Sequence, residues 1–236
     1  MKITSENCTG CFAFSSLLAV YAWASSDQNG DLFFSKTSST GDQLTPEWAT
    51  LLRGIRHIVE VAGQWIEKGP MKLLMCPWAM EFQGVDPELM REIHPGPSAR
   101  LTALSRLWNR STAKLDATDV VVLDRTLTQL HEAYWMMRSS DKECQTASVG
   151  IALAWPIRVP ERFLAMVNNM DPEALILLAH YSLLLNKVDN VWFMHGMGGH
   201  LLRSIQQRLG KEWESWIAWP LQDLVLSEFK TGEMNI

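Results

Sequence analysis

A chain of 236 residues with 47% hydrophobic and 20% charged residues can bury a substantial core without disulfides or metals, which excludes wholesale disorder. A net charge of −5 and a pI near 5.7, with no clustered run of Lys and Arg, exclude a direct grip on nucleic-acid phosphates by this chain. Eleven tryptophans and twelve methionines suit a roomy apolar interior that adapts to a bulky guest, although each one alone fits an ordinary helical core.

At the N-terminus, Lys2 precedes an apolar run from Cys11 to Ala24 that ends in Ala22-Trp23-Ala24 and so mimics a secretory signal. Ser15 and Ser16 interrupt the run, Glu6 sits in the supposed basic region, and Lys2 is its sole positive side chain. The segment therefore reads as a core helix. No run reaches the roughly 20 apolar residues that span a bilayer. Cys8-Thr9-Gly10-Cys11 is a lone C-x-x-C pair. It suits a redox pair, half of a metal site, or two small buried hydrophobes at a helix start. Cys76 and Cys144 complete a cysteine set that otherwise fits a reducing compartment.

Residues 26–44 are rich in Ser, Gly and Thr and read as a loop. Over 46–68, Thr45 caps, Pro46 opens, and Trp48, Leu51, Leu52, Ile55, Ile58, Val59, Ala62, Trp65 and Ile66 recur at helical spacing until Gly69-Pro70. Prolines 77, 87, 95 and 97 make 76–97 irregular. Helices are expected at 98–110 and 118–138, followed by a polar, loop-like 139–150. Trp155-Pro156 and Pro160 punctuate an approach to a helix over 160–169. Asp171-Pro172-Glu173 is a helix start with a cap, a proline at the first position and an acid in the first turn. The helix it opens, 172–187, is apolar on most sides and should be central. Another is expected over 190–209, ending at Gly210, with short helices near 212–217 and 221–228. With no convincing alternating strand pattern and no repeat, the reading is one all-α domain of about eight to ten helices around an apolar pocket.

Six histidines are available for chemistry: His57, His94, His131, His180, His195 and His200. His131-Glu132 begins a zincin-like pattern, but Trp135 stands where the second ligand would be. His195 and His200 are five apart, a poor ligand spacing on a helix, so no metal site and no cofactor are expected. There is no G-x-S-x-G, and Gly196, Gly198 and Gly199 follow no strand, so they fit close helix packing or the wall of a pocket near a ligand better than a phosphate cradle. Beside 172–187 and 190–209, Tyr181, Trp192, His195 and His200 offer polar atoms near Leu184, Met194 and Met197. A largely apolar cavity with few polar anchors suits a sterol- or terpenoid-sized guest.

The segment from Ala174 to Leu224 carries "AHY", Trp192, Gly196, His200-Leu201-Leu202 and Trp216-Ile217-Ala218-Trp219-Pro220. In that order it resembles the C-terminal regulatory domain of fungal binuclear zinc-cluster transcription factors of the sterol-uptake-control type. "FAFSSLL" near the N-terminus, "LLRGIRHI" and "GQWIEKGP" are similar to further helices of that family. The resemblance implies an all-helical domain that binds ergosterol, and adds Phe12 and Phe14 to the candidate ligand-binding residues. The family's zinc cluster needs six closely spaced cysteines, and four scattered ones stand here, so a ligand-sensing body without its DNA-reading head is expected. His195 replaces a residue that is commonly acidic in the family and Met197 one that is commonly aromatic, which puts ergosterol itself in doubt.

Two functions follow. The first is a regulatory module that binds a lipophilic metabolite and acts on a sterol or secondary-metabolite pathway in cytoplasm or nucleus. It would work through a protein partner or as a homodimer. The second is a cyclase or isomerase of a polyketide or terpenoid on the same scaffold, with His195, His200, His131 and Glu132 as the first catalytic candidates and Tyr181 as a donor.

Overall fold

The computed structural model describes residues 2–25, 34, 47–72, 95–110, 115–140 and 145–233. Among them are nine α-helices, one 3-10 helix and no strand, so the chain is all-α. In chain order the α-helices are α1 Cys8–Ser25, α2 Glu47–Ile66, α3 Pro95–Arg110, α4 Ala117–Ser140 and α5 Gln145–Arg158. They continue with α6 Glu161–Asn168, α7 Pro172–Asn186, α8 Met197–Arg208 and α9 Ala218–Glu233, with the 3-10 turn Lys211–Trp216 before the last.

The centre is α7. Every residue from Glu173 to Leu185 is buried, as a helix apolar on all sides requires. Around it pack α8, α9, α4, α6 and α3. Polar links fix the outer helices: Trp108 Nε1 donates to Asp124 Oδ1 at 2.8 Å between α3 and α4. At the start of α4, Arg162 holds Asp119 with two hydrogen bonds of 2.8 and 3.0 Å, and that bonding keeps the Asp119 carboxyl below its ordinary range. The helix α9 docks through Trp219, whose ring lies 5.6 Å from His180 and 6.0 Å from Tyr134, with Arg100 over its face at 5.1 Å. Pro220 sits in the first turn of α9, where a missing N–H is tolerated.

A second layer is the pair α1 and α2, which pack on each other, with α2 joining the main body at α5. Among the described residues α1 is the one helix long and apolar enough to cross a membrane by length and composition, though its 18 residues stop short of the roughly 20 that span a bilayer. Only 22% of it is buried. It is a wall with one buried face, carrying Cys8, Phe12, Ala19 and Trp23, rather than an interior helix.

Three expectations along the chain are corrected. Residues 145–150 belong to α5 rather than to a loop, and Trp155-Pro156 lies inside that helix. The helix expected over 190–209 begins only at Met197, because 187–196 is a series of turns. The 98–110 helix starts earlier, at Pro95, where two prolines fall in its first turn. Cys76, His94, Cys144, the loop over 26–44 apart from Phe34, and most of the irregular 76–97 stretch lie outside the described residues.

Candidate functional site: an apolar cavity between the two layers

Where α1 faces α5, the layers do not close. They leave a half-open cavity of about 740 Å³, within the range of small-molecule sites. From α1 it takes Phe12, Ser16, Leu17, Val20 and Trp23; from α2, Ile55; and from just beyond, Met71. The opposite wall is α5, with Val149, Leu153 and Ile157, and the fourth side is the turn Asn190–Phe193. Among the described residues no Asp, Glu, Lys, Arg or His lines it; Ser16 and Asn190 supply a hydroxyl and an amide. Such a lining suits an uncharged, mostly hydrocarbon guest, since an ionised group would be buried there without a counter-charge.

The α5 wall owes its form to a compensated proline. Pro156 has no N–H, so the carbonyl of Ala152, four residues earlier, loses its helical donor. The Tyr181 hydroxyl on α7 donates to that carbonyl at 2.8 Å. The Tyr181 ring stacks on Trp155 with centroids 4.4 Å apart and planes 18° apart. Burial raises the Tyr181 phenol well above its ordinary pKa, which keeps it a neutral donor. At the C-terminal end of α5, Arg158 bonds Glu132 Oε2 at 2.8 Å, and Gln129 Nε2 donates to the Arg158 carbonyl at 3.0 Å.

The turn wall is closed by Asp189. One carboxylate oxygen accepts the Gly196 N–H at 2.6 Å and the other stands 3.0 Å from His195 Nδ1, which carries the proton because a carboxylate only accepts. Gly196 adopts a left-handed φ of 76°, and a Cβ there would stand 3.3 Å from His200 Nε2. The following α8 lies so close to α7 that a Cβ on Gly198 would overlap Asn186 Oδ1 and come within 2.7 Å of the Ser182 carbonyl. At Gly198 the α7–α8 interface therefore leaves no room for a side chain.

Of the candidate ligand-binding residues, the structure brings Phe12 and Trp192 to one cavity. Tyr181, Leu184, Met194 and Met197 are buried in the core away from its lining, and Phe14 is 67% exposed on another face of α1. His195 is exposed beside Asp189, and His200 is half-buried in the first turn of α8. His131 and Glu132 lie on α4, outside the lining, with Glu132 held by Arg158. The candidate acids and bases thus form no common site with the cavity. Sequence reasoning missed Ser16, Val20, Trp23, Leu153, Ile157 and the flanking Val191 and Phe193. The charge-free composition of α1 was a usable signal for the first three.

In the C-x-x-C pair, Cys8 is buried and Cys11 half-buried on the first turn of α1, both free thiols, and Cys8 Sγ is 3.4 Å from the Ser5 carbonyl. Among the described residues no three His, Cys, Asp or Glu side chains gather to hold a metal ion.

Fold and site together define an all-α domain that walls an apolar, charge-free cavity. Over 230 residues the chain is 22% identical to a Zn(2)-C6 fungal-type transcription factor of Gibberella zeae, a likeness that takes in 95% of this chain and 44% of that protein. The chain therefore spans less than half the length of that relative. It matches no family model and no solved structure.

Proposed function

We propose that this chain is a regulatory module related to fungal zinc-cluster transcription factors, which takes an uncharged lipophilic metabolite of sterol or terpenoid size into the cavity between α1, α5 and the 190–193 turn. The observation that carries this reading is the cavity itself: about 740 Å³ of apolar space with no acidic or basic side chain among the described residues that line it. The likeness along nearly the whole chain to a transcription factor supports a role in transcription rather than in metabolism. A net charge of −5 supports action through a protein partner rather than by gripping DNA, in nucleus or cytoplasm.

Binding to the folded state alone raises the melting temperature by mass action; a guest at 100 times its Kd contributes about 2.7 kcal/mol. The test is a thermal-shift panel of neutral sterols and terpenoids alongside their carboxylic-acid analogues. Tryptophan emission, to which Trp23 and Trp192 in the lining contribute, serves as a second readout, and mass spectrometry of the recovered compound follows. The expected result is a shift for neutral compounds, none for the acids, and return of the guest unaltered. A panel that moves neither melting temperature nor tryptophan emission defeats the proposal. A chemically changed guest transfers the site to the cyclase or isomerase reading.

A further inference from the structure

The face of α1 turned away from α2 is apolar and uncovered. Phe14, Leu17 and Tyr21 are 67%, 70% and 70% exposed, and Leu18 is 40% exposed. Their spacing of three, one and three residues is the seam by which one helix packs on another. On the same stripe lie Gly10, where a Cβ would meet nothing within 4 Å, and exposed Ser25. The stripe reads the same from both ends by size: small, aromatic, leucine, leucine, aromatic, small, symmetric about the Leu17–Leu18 bond. A two-fold axis through that point sets Phe14 of one copy against Tyr21 of the other and joins the leucines, the self-complementary pattern an isologous interface needs.

We propose that the partner of this face is a second copy of the chain, with α1 crossing α1 antiparallel over the cavity mouth. Charge permits it: no residue from Cys8 to Ser25 is ionisable as an acid or as a Lys, Arg or His, so two copies of net charge −5 meet without opposed charges at the seam. Area permits it as well. With about 200 Å² per aromatic side chain and about 100 Å² per leucine, the four stripe residues and Trp192, 79% exposed, offer roughly 500–600 Å² per copy. The pair then hides about 1,100 Å², just above the ~1,000 Å² that marks a specific interface. Leu17 and Trp192 both line the cavity while standing mostly exposed, so they form its lip. The second copy closes the side that this copy leaves open.

Sedimentation velocity of the whole chain across a concentration series, with and without neutral vesicles, tests this. The expected mass is twice 26.8 kDa at micromolar concentration. Leu18→Glu/Tyr21→Glu sets four carboxylates around the axis and should weaken self-association at least 100-fold. Neither residue lines the cavity, so the variant keeps the cavity's own walls and should bind a guest more weakly rather than not at all, which keeps a failed dimer distinct from a failed binding site. Both positions are surface sites, and an unchanged melting temperature in dilute solution verifies that the variant folds. Phe14→Ser gives a second, uncharged disruption. A wild-type monomer at 100 times that concentration overturns the proposal, as does a dimer that both variants leave intact. A monomer that floats with vesicles, and no longer floats as Leu18→Glu/Tyr21→Glu, assigns the face to lipid instead.

Discussion

Removing the Tyr181 hydroxyl should destabilise the domain through a residue that the substitution does not touch. In Tyr181→Phe the stacked ring stays on Trp155, but the Ala152 carbonyl is left without a donor, since Pro156 has no N–H to offer. A buried carbonyl deprived of its partner costs about 1–3 kcal/mol. For a chain of this length that corresponds to a fall in melting temperature of roughly 2–12 °C, at about 2–4 °C per kcal/mol. The specific check is a double-mutant cycle with Pro156→Ala, which restores a backbone N–H four residues after Ala152. In that background Tyr181→Phe should cost less by about 1 kcal/mol, a coupling of the size that cycles resolve. Differential scanning calorimetry or a circular-dichroism melt of the four proteins supplies the values. A cost for Tyr181→Phe that is the same with proline or alanine at position 156 refutes the compensation argument, whatever its size.

Gly198→Ala should lower stability by about 1–3 kcal/mol, because the new methyl group meets the Ser182 carbonyl of α7 and only helix separation relieves it; chemical denaturation reads this directly. Asp189→Ala should loosen the turn wall and lower guest affinity in a binding titration, whereas Asp189→Asn keeps an acceptor for the Gly196 N–H and should retain most of it. Burial lowers His180 from 6.5 to about 4, so below pH 6.5 the unfolded chain takes up a proton that the folded chain refuses. Stability should therefore fall as pH drops from 6.5 to 4, by up to about 3 kcal/mol at 1.36 kcal/mol per unit. His180→Gln should flatten that window relative to the wild type, and parallel slopes in the two proteins would dismiss the effect.

How far the sequence discloses this molecule depends on the range of the interactions involved. The helix α7 is legible because its cap, its first-turn proline and its all-round apolar composition are local facts that agree with each other. The helix α5 is not, since Pro156 ends a helix in local terms and only the Tyr181 hydroxyl, 29 residues beyond the Ala152 carbonyl it bonds, makes the proline tolerable there. The stretch 187–196 fails in the opposite direction. Its run Val191-Trp192-Phe193-Met194 has helical composition, yet Asp189 spends its carboxylate on the Gly196 N–H and closes a loop that no hydrophobic period reveals.

The same distinction governs the candidate site. The resemblance and the polar atoms of Tyr181, Trp192, His195 and His200 point to a guest beside α7 and α8, but Gly198 there serves close helix contact against Ser182 and Asn186. Open space arises instead where large side chains prevent approach. Phe12 and Trp23 on α1 and Leu153 and Ile157 on α5 hold the two layers apart, with Ile55 and Met71 at one side. A cavity is a difference between two surfaces, so it is invisible to any rule that reads one helix at a time. What the sequence does hold is the reason α1 can stand at such a place: with no charge along eighteen residues, it has one apolar face for α2 and the cavity and another left over for a neighbour.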